Sequence, residues 1–97
     1  MPKYVVVGNF TQDGIQKIKD SPKRIEAARK QLKDLGGEIK AFYYTMGRYD
    51  FVVICKAPND EAMTKWLLMV AGMGQVRTET LSAIPADKAA ELFKELP

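Results

Sequence analysis

Five side chains carry the groups from which a binding or proton-transfer site could be built: Tyr43, Tyr49, Asp50, Arg77 and Glu79. Asp50 is the most distinctive, because it stands at the mouth of an apolar run, Phe51-Val52-Val53-Ile54. A carboxylate drawn into such surroundings needs hydrogen bonds or a cation. It can serve as a general base, as an anchor for a ligand ammonium, or as an acceptor for backbone N–H groups beside a turn. The last is the common use of an aspartate so placed and is the first expectation for Asp50. The tyrosine hydroxyls can orient a ligand, or each can be satisfied once in the protein interior. Arg77 and Glu79 fall on one face of a strand, where they can take a carboxylate and an ammonium or pair with each other. These five are the expected ligand-binding residues, and no residue is assigned as catalytic. Arg48, at a turn tip, reads as solvated. Cys55 reads as a small buried hydrophobe with nothing beside it to lower its pKa.

Composition narrows the chemistry further. There is no histidine, which removes imidazole acid/base catalysis, a histidine-ligated haem and histidine-ligated zinc. One cysteine makes no thiolate cluster, and no Asp/Glu group has metal-ligand spacing. Neither a metal nor a cofactor is expected. Much of the net charge of +3 comes from Lys17, Lys19, Lys23, Arg24, Arg29, Lys30 and Lys33. Asp20, Glu26 and Asp34 interrupt that segment and no aromatic joins it, so it reads as a solvated helix face and not as a nucleic-acid surface. No apolar run has the length of a membrane span. The first residues, Met-Pro-Lys-Tyr-Val, enter a strand pattern without a secretory h-region. With the lone cysteine, this gives a cytoplasmic expectation.

The elements that must position these residues follow from periodicity. Lys3–Phe10 is a strand whose continuous Val5-Val6-Val7 run suits cover on both faces. Gly8-Asn9 near its end signals a bulge or a close backbone approach. Thr11–Gly14 reads as a turn and Ile15–Asp20 as about one helical turn. Ser21-Pro22 starts a helix, with Ser21 as N-cap and an apolar stripe of Ile25, Ala28, Leu32 and Leu35. Gly36-Gly37 ends it, one glycine left-handed. Two strands, Glu38–Met46 and Phe51–Ala57, flank Gly47-Arg48, a pair suited to a two-residue type II′ turn. That turn sets Met46 opposite Tyr49, Tyr44 opposite Phe51 and Phe42 opposite Val53. One hairpin face then holds Phe42, Tyr44, Met46, Tyr49, Phe51, Val53 and Cys55 and is expected under the helices. The other holds Ile39, Ala41, Tyr43, Thr45, Asp50, Val52 and Ile54.

Asn59 or Asp60 caps a second helix, Glu61 to about Met73. It is greasy on more than one side, with Met63, Trp66, Leu67, Leu68, Met69, Val70 and Met73, so it is expected to be deeply buried or to meet a partner. Gln75–Ile84 is the fourth strand, and residues 87–96 form a helical tail. The whole, residues 1–97, reads as one domain. Strand, helix, strand, strand, helix, strand is the ferredoxin-like βαββαβ order of an α+β domain. It predicts a four-stranded antiparallel sheet, order 4-1-3-2, with both main helices on one face. The second face would carry Val52, Ile54, Ile39, Ala41 and Tyr43, too apolar to stay wet, so a homodimer formed face to face is expected.

At Gly47-Arg48-Tyr49-Asp50 the chain resembles the GYD domain family, with Arg48 set between the glycine and the tyrosine of the signature. The resemblance extends through Asn9-Phe10-Thr11, Lys19-Asp20-Ser21-Pro22, Ala57-Pro58-Asn59-Asp60 and Val76-Arg77-Thr78-Glu79-Thr80. It implies a dimeric α+β barrel in a prokaryotic protein, and no activity comes with it. Three functional readings follow. The first is a small-molecule-binding or regulatory homo-oligomer, with a pocket near Tyr43, Asp50 and Arg77. The second is a cofactor-independent oxygenase or isomerase using Asp50 and a tyrosine. The third is a purely structural oligomer. The first is preferred, because no nucleophile–base pair is visible.

Overall fold

Val5, Val6 and Val7 lie in β1 (Lys3–Phe10), one of the two interior strands of the sheet. In the computed structural model, which describes residues 1–97, β1 pairs antiparallel with β3 (Phe51–Lys56) on one side and β4 (Val76–Ala83) on the other. β2 (Glu38–Tyr44) pairs with the far side of β3. The order β2-β3-β1-β4 is the expected 4-1-3-2 order read from the other edge. The β1 register runs without a break from Lys3 to Gly8 against β3 and from Lys3 to Phe10 against β4. The Gly8 signal is therefore a close approach and not a bulge: a Cβ there would lie 2.3 Å from Cζ of Phe51.

Helices fill the connections. α2 (Ser21–Asp34) and α3 (Asp60–Gly72) lie over the same sheet face. Between them and the sheet is the core, which includes Tyr4, Val6, Leu32, Val53, Met63 and Trp66. The Trp66 indole Nε1–H donates to the Ala28 carbonyl at 2.8 Å, fastening α3 to α2. Arg29 Nη1 donates to the Ile39 carbonyl at 3.1 Å, fastening α2 to β2. Asn59 caps α3 through its side chain, which accepts from the Ala62 N–H at 2.9 Å. α2 closes in the Schellman manner, the Gly36 N–H on the Lys33 carbonyl and the Gly37 N–H on the Leu32 carbonyl. A short C-terminal helix, α4 (Ala86–Phe93), is amphipathic but leaves Leu92 and Phe93 exposed.

Several local expectations are corrected. Thr11–Gly14 is not a turn: Thr11 caps a helix, α1 (Gln12–Gln16), by accepting from the Gly14 N–H. Ser21 is not the N-cap of α2; Asp20 occupies that position. The Ser21 hydroxyl is instead buried and hydrogen-bonds the Tyr44 hydroxyl at 2.8 Å. Of the two expectations for α3, deep burial is not met: its outer side is bare, with Leu68, Met69 and Met73 exposed, and it is buried along one stripe only, which leaves the outer side to a partner.

The hairpin keeps its expected register, Tyr44 opposite Phe51 and Phe42 opposite Val53, but not its two-residue turn. The ladder ends at Tyr44 and Phe51, and Thr45–Asp50 form a wider loop. The Thr45 N–H donates to the Asp50 carbonyl at 2.8 Å, and the Thr45 hydroxyl donates to the Tyr49 carbonyl at 2.6 Å. Gly47 has the positive φ, 108°, that the sequence required. Met46 is almost wholly exposed and does not lie under the helices. A register shift between Ile39 and Ala41 leaves Lys40 as an extra residue. The bulge moves Ile39 from the outer face to the helix side, where it is 3% exposed.

Two predictions come from this packing. Gly8→Ala sets a methyl against the Phe51 ring and 2.8 Å from the Arg77 carbonyl, and is expected to cost about 1–3 kcal/mol in urea unfolding. The second concerns Tyr4, whose hydroxyl donates to Asp60 at the start of α3. That bond, then burial, pushes the Tyr4 hydroxyl from 10.0 up to about 12. Above pH 10 the unfolded chain gives up this proton and the folded chain keeps it, so the unfolded state binds fewer protons. The Tyr4 contribution is thus complete below pH 10 and declines toward about pH 12. Urea midpoints of the wild type are expected to fall across that window more steeply than those of Tyr4→Phe.

Candidate functional site

The sheet alternates, so each strand sorts its side chains between two surfaces. On the side away from α2 and α3 the registers align two rows. One runs Tyr43, Val52, Val7, Glu79 and the other Ala41, Ile54, Val5, Leu81. No element lies over this side. Tyr43 is 60% exposed and Leu81 49% exposed, while the valines and Ile54 between them are half-buried by their neighbours. The face has an apolar middle and a charged margin, with Arg77 at one end and Lys3, Lys56 and Glu38 at the other.

The five expected ligand-binding residues all lie toward one end of the sheet but do not form one pocket. The Tyr49 hydroxyl donates to Glu79 at 3.0 Å, across the open face. Arg48 lies over the Tyr49 ring with its guanidinium carbon 5.6 Å from the centroid. Arg77 stands opposite Asn9, and the Asn9 side-chain oxygen accepts from the Asp50 N–H at 3.2 Å. Arg77 and Glu79 share a face, as expected, but make no ion pair; the ion pairs of the chain lie elsewhere. Tyr43 sits at the other end of its row, near the β2 edge, its hydroxyl without a protein partner.

Asp50 joins the hairpin to the end of β1. Its Oδ2 accepts from the Phe10 N–H at 2.9 Å, and its own N–H donates to the Gly8 carbonyl at 2.8 Å. Both bonds are to the β1 backbone, and no lysine or arginine pairs with the carboxylate. Cys55 is buried, and burial pushes its thiol up to about 11. It is therefore neutral and unreactive at ordinary pH. No three acidic or thiol side chains converge to hold a metal.

A second feature lies on the other side of the sheet. An apolar cavity of about 70 Å³ opens between the sheet and α2 and α3. Its floor includes Phe10, Phe42, Phe51 and Val53, and its roof Ile25, Ala28, Leu67 and Val70. The floor is built from stacked and tilted rings: Phe10 and Phe51 are 5.4 Å apart, Phe42 and Phe51 5.5 Å, and Phe42 and Tyr44 5.2 Å. Arg24, Ser21 and Thr78 are its polar neighbours. None of the five expected residues lines it. Nothing in the sequence marked it: Ala28, the smallest residue in the α2 stripe, borders the space, but one small residue in a stripe does not by itself signal a chamber.

Comparison with known proteins agrees with the fold. The family model described as the GYD domain matches residues 4–93. A Thermus thermophilus protein named "Glutamine synthetase and cystathionine beta-lyase binding protein" is 36% identical over 94 residues, which cover 95% of this chain and 99% of that one. Among solved structures, MtbAldR superposes with a TM-score of 0.68 at 16% identity, over 87% of this chain. A feast or famine regulatory protein from M. tuberculosis, complexed with L-methionine, superposes with 0.67 at 15% identity, over 89% of this chain. The chain spans about half of either, 52% of each, and at such identity the likeness is one of fold. A family match over residues 4–93, a relative aligned along nearly its whole length and the βαββαβ sheet with its Gly47-to-Asp50 loop place this chain in the GYD domain family.

Proposed function

We propose that this chain is a homodimeric protein-binding module without catalytic activity of its own, acting on enzymes of the kind for which its Thermus relative is named. The observation that carries the reading is the uncovered sheet face. A strand with one wet face alternates apolar with polar side chains along its length, so the wet face is polar. This one presents Val5, Val7, Val52, Ile54 and Leu81 as a continuous middle. Two copies stacked through it about a two-fold axis would bury the apolar middles together and keep the charged margins in water. Burial of about 600–800 Å² per subunit would bring the contact to the standard interface size.

Protein binding is supported by the relative's name and by the apolar residues that such a dimer leaves outward. Leu68, Met69 and Met73 on α3 and Leu92 and Phe93 on α4 are all exposed. Methionines there suit a contact surface that must adapt its shape. On this reading Tyr43, Tyr49, Arg77 and Glu79 belong to the rim of the dimer, where hydroxyls and charges set register and partner choice. Asp50 serves the backbone. A cofactor-independent enzyme would need a base with a free lone pair facing a substrate pocket, and the Asp50 carboxylate faces the Phe10 N–H and is absent from the apolar cavity.

Three outcomes are expected. Light scattering of the wild type at micromolar concentration gives at least twice the chain mass, and biolayer interferometry detects binding to glutamine synthetase or cystathionine beta-lyase. Val52→Asp gives monomer or insoluble protein, because it sets an unpaired charge in the contact; a soluble Val52→Asp dimer sinks the face-to-face arrangement. Asp50→Asn keeps an oxygen for the Phe10 N–H and is expected to lower stability by under about 1 kcal/mol, whereas Asp50→Ala strands that donor at a cost of about 1–3 kcal/mol. Both Asp50 variants retain dimer mass and partner binding.

A further inference from the structure

The loop Thr45–Asp50 stands beyond the last rung of the β2–β3 ladder, where Tyr44 pairs with Phe51. Every side chain in it but one is engaged. The Thr45 N–H and hydroxyl hold the Asp50 and Tyr49 carbonyls at 2.8 Å and 2.6 Å. Asp50 is fixed to β1 twice, its N–H on the Gly8 carbonyl and its carboxylate on the Phe10 N–H. The Tyr49 hydroxyl reaches β4 at Glu79, and the Arg48 guanidinium lies over the Tyr49 ring. Gly47 turns the chain at a φ of 108°, with open space where a Cβ would stand.

Met46 is the side chain left over. It is 99% exposed and serves neither the core nor the loop. A single exposed apolar side chain is ordinary on a protein surface; one mounted at the tip of a loop with this many braces is not explained by the fold. Ordering a flexible loop is among the costs of association, and here folding has already ordered it. An unbranched thioether also adapts to the shape of whatever pocket receives it.

The tip carries charge of one sign. Asp50 turns its carboxylate to β1, and Arg48 makes no ion pair within the chain. The surface offered outward is therefore a methionine beside a cation. A phosphate backbone would ask for several cations at this point, and Arg48 is the only one in the loop. The chemistry that fits is a protein pocket, apolar within and acidic at its rim.

We infer that this loop is the anchor by which the chain holds its partner enzyme: Met46 enters a small apolar pocket, and Arg48 pairs with a carboxylate on the rim of that pocket. The inference rests on the protein-binding reading above and names the contact within it. The residues Gly47, Tyr49 and Asp50 then act as positioning residues, which turn and brace the loop and leave the contact to their neighbours.

Biolayer interferometry of the full chain against glutamine synthetase and cystathionine beta-lyase tests it, with dimer mass and melting temperature recorded on the same samples. Met46→Glu is expected to weaken binding at least about thirtyfold, the scale of an anchor residue. Its mass and melting temperature stay those of the wild type, because Met46 is wholly exposed in its own chain. Met46→Leu, which still fills an apolar pocket, binds within about threefold of the wild type. Arg48→Gln is expected to weaken binding at least about fivefold and to flatten its dependence on salt. A wild type that binds while Met46→Glu binds within about threefold of it overturns the anchor and leaves the protein-binding reading standing. The same holds if binding is lost in Phe93→Ser and kept in Met46→Glu, which moves the contact to α4. A wild type that binds neither enzyme overturns the reading and the anchor together.

Discussion

Two helices in sequence after alternate strands fall on the same side of a four-stranded sheet, and most of this molecule's features follow from that one-sided cover. The right-handed strand–helix–strand crossover puts α2 and α3 over the side that holds Val6, Phe51 and Val53. Every other residue of the same strands is then turned away from the helices. In β1 and β3 those alternate residues are Val5, Val7, Val52 and Ile54. A chain meant to live as a monomer would place Thr, Lys or Glu at such positions, as β4 does at Arg77 and Glu79. The interior strands are apolar on both faces and the edge strand is mixed. Such a pattern suits a surface whose centre is covered and whose margin is wet.

The covered side is less completely filled than its residue types suggest. The aromatic floor is broad, because Phe10, Phe42, Phe51 and Tyr44 come from three strands and contact one another in a closed cycle of four rings. Gly8 makes this possible by leaving room for the Phe51 ring against β1. Above the floor, α2 offers Ala28 where α3 offers Trp66, and the indole uses the Ala28 carbonyl as its acceptor. A larger residue at position 28 would fill the space but crowd the helix pair. A void of about 70 Å³ costs about 1.7 kcal/mol at about 24 cal/mol per Å³. That is a large fraction of the stability of a domain this size, and a ligand occupying the space would recover part of it.

Most of the fold was legible in the sequence because it rests on strong, local signals. Glycine pairs, the Pro58-Asn59-Asp60 stop and the two hydrophobic periods fix the element order. The hairpin register was legible through Tyr44 and Phe51, where alternation alone decides it. It failed at Ile39, where the bulge at Lys40 turns the side chain to the helix side and Arg29 of α2 holds the Ile39 carbonyl, a tertiary arrangement that no local pattern carries. Ser21 was read as a cap because serine before proline is a good cap; its hydroxyl is instead taken by Tyr44, a residue more than twenty positions away. For Asp50 the kind of duty, accepting from a backbone N–H, was legible, but its partner was not: the carboxylate bonds Phe10 in another strand and not the turn beside it. The cavity was not legible. An apolar stripe with one small residue looks the same whether its neighbours close over that residue or leave a chamber.

The two surfaces of the sheet are not independent. In β3 the residues alternate between them: Phe51 and Val53 line the cavity, and Val52 and Ile54 belong to the open face. Any change in the twist or position of β3 therefore moves both. Thermodynamic linkage then sets a strict condition. In the proposed dimer, a molecule in the cavity would change the dimer constant only by the ratio of its affinities for the monomer and dimer arrangements, and dimerisation would change its affinity by the same factor. If β3 has one arrangement, that ratio is one and the cavity is silent, however tightly it is filled. If stacking two sheets flattens β3, the distance between the Phe51 ring and the α2 roof changes with it, and chamber size becomes a function of oligomeric state. A rigid β3 would make the cavity a stabilising site, and a β3 with two arrangements would make it a regulatory one.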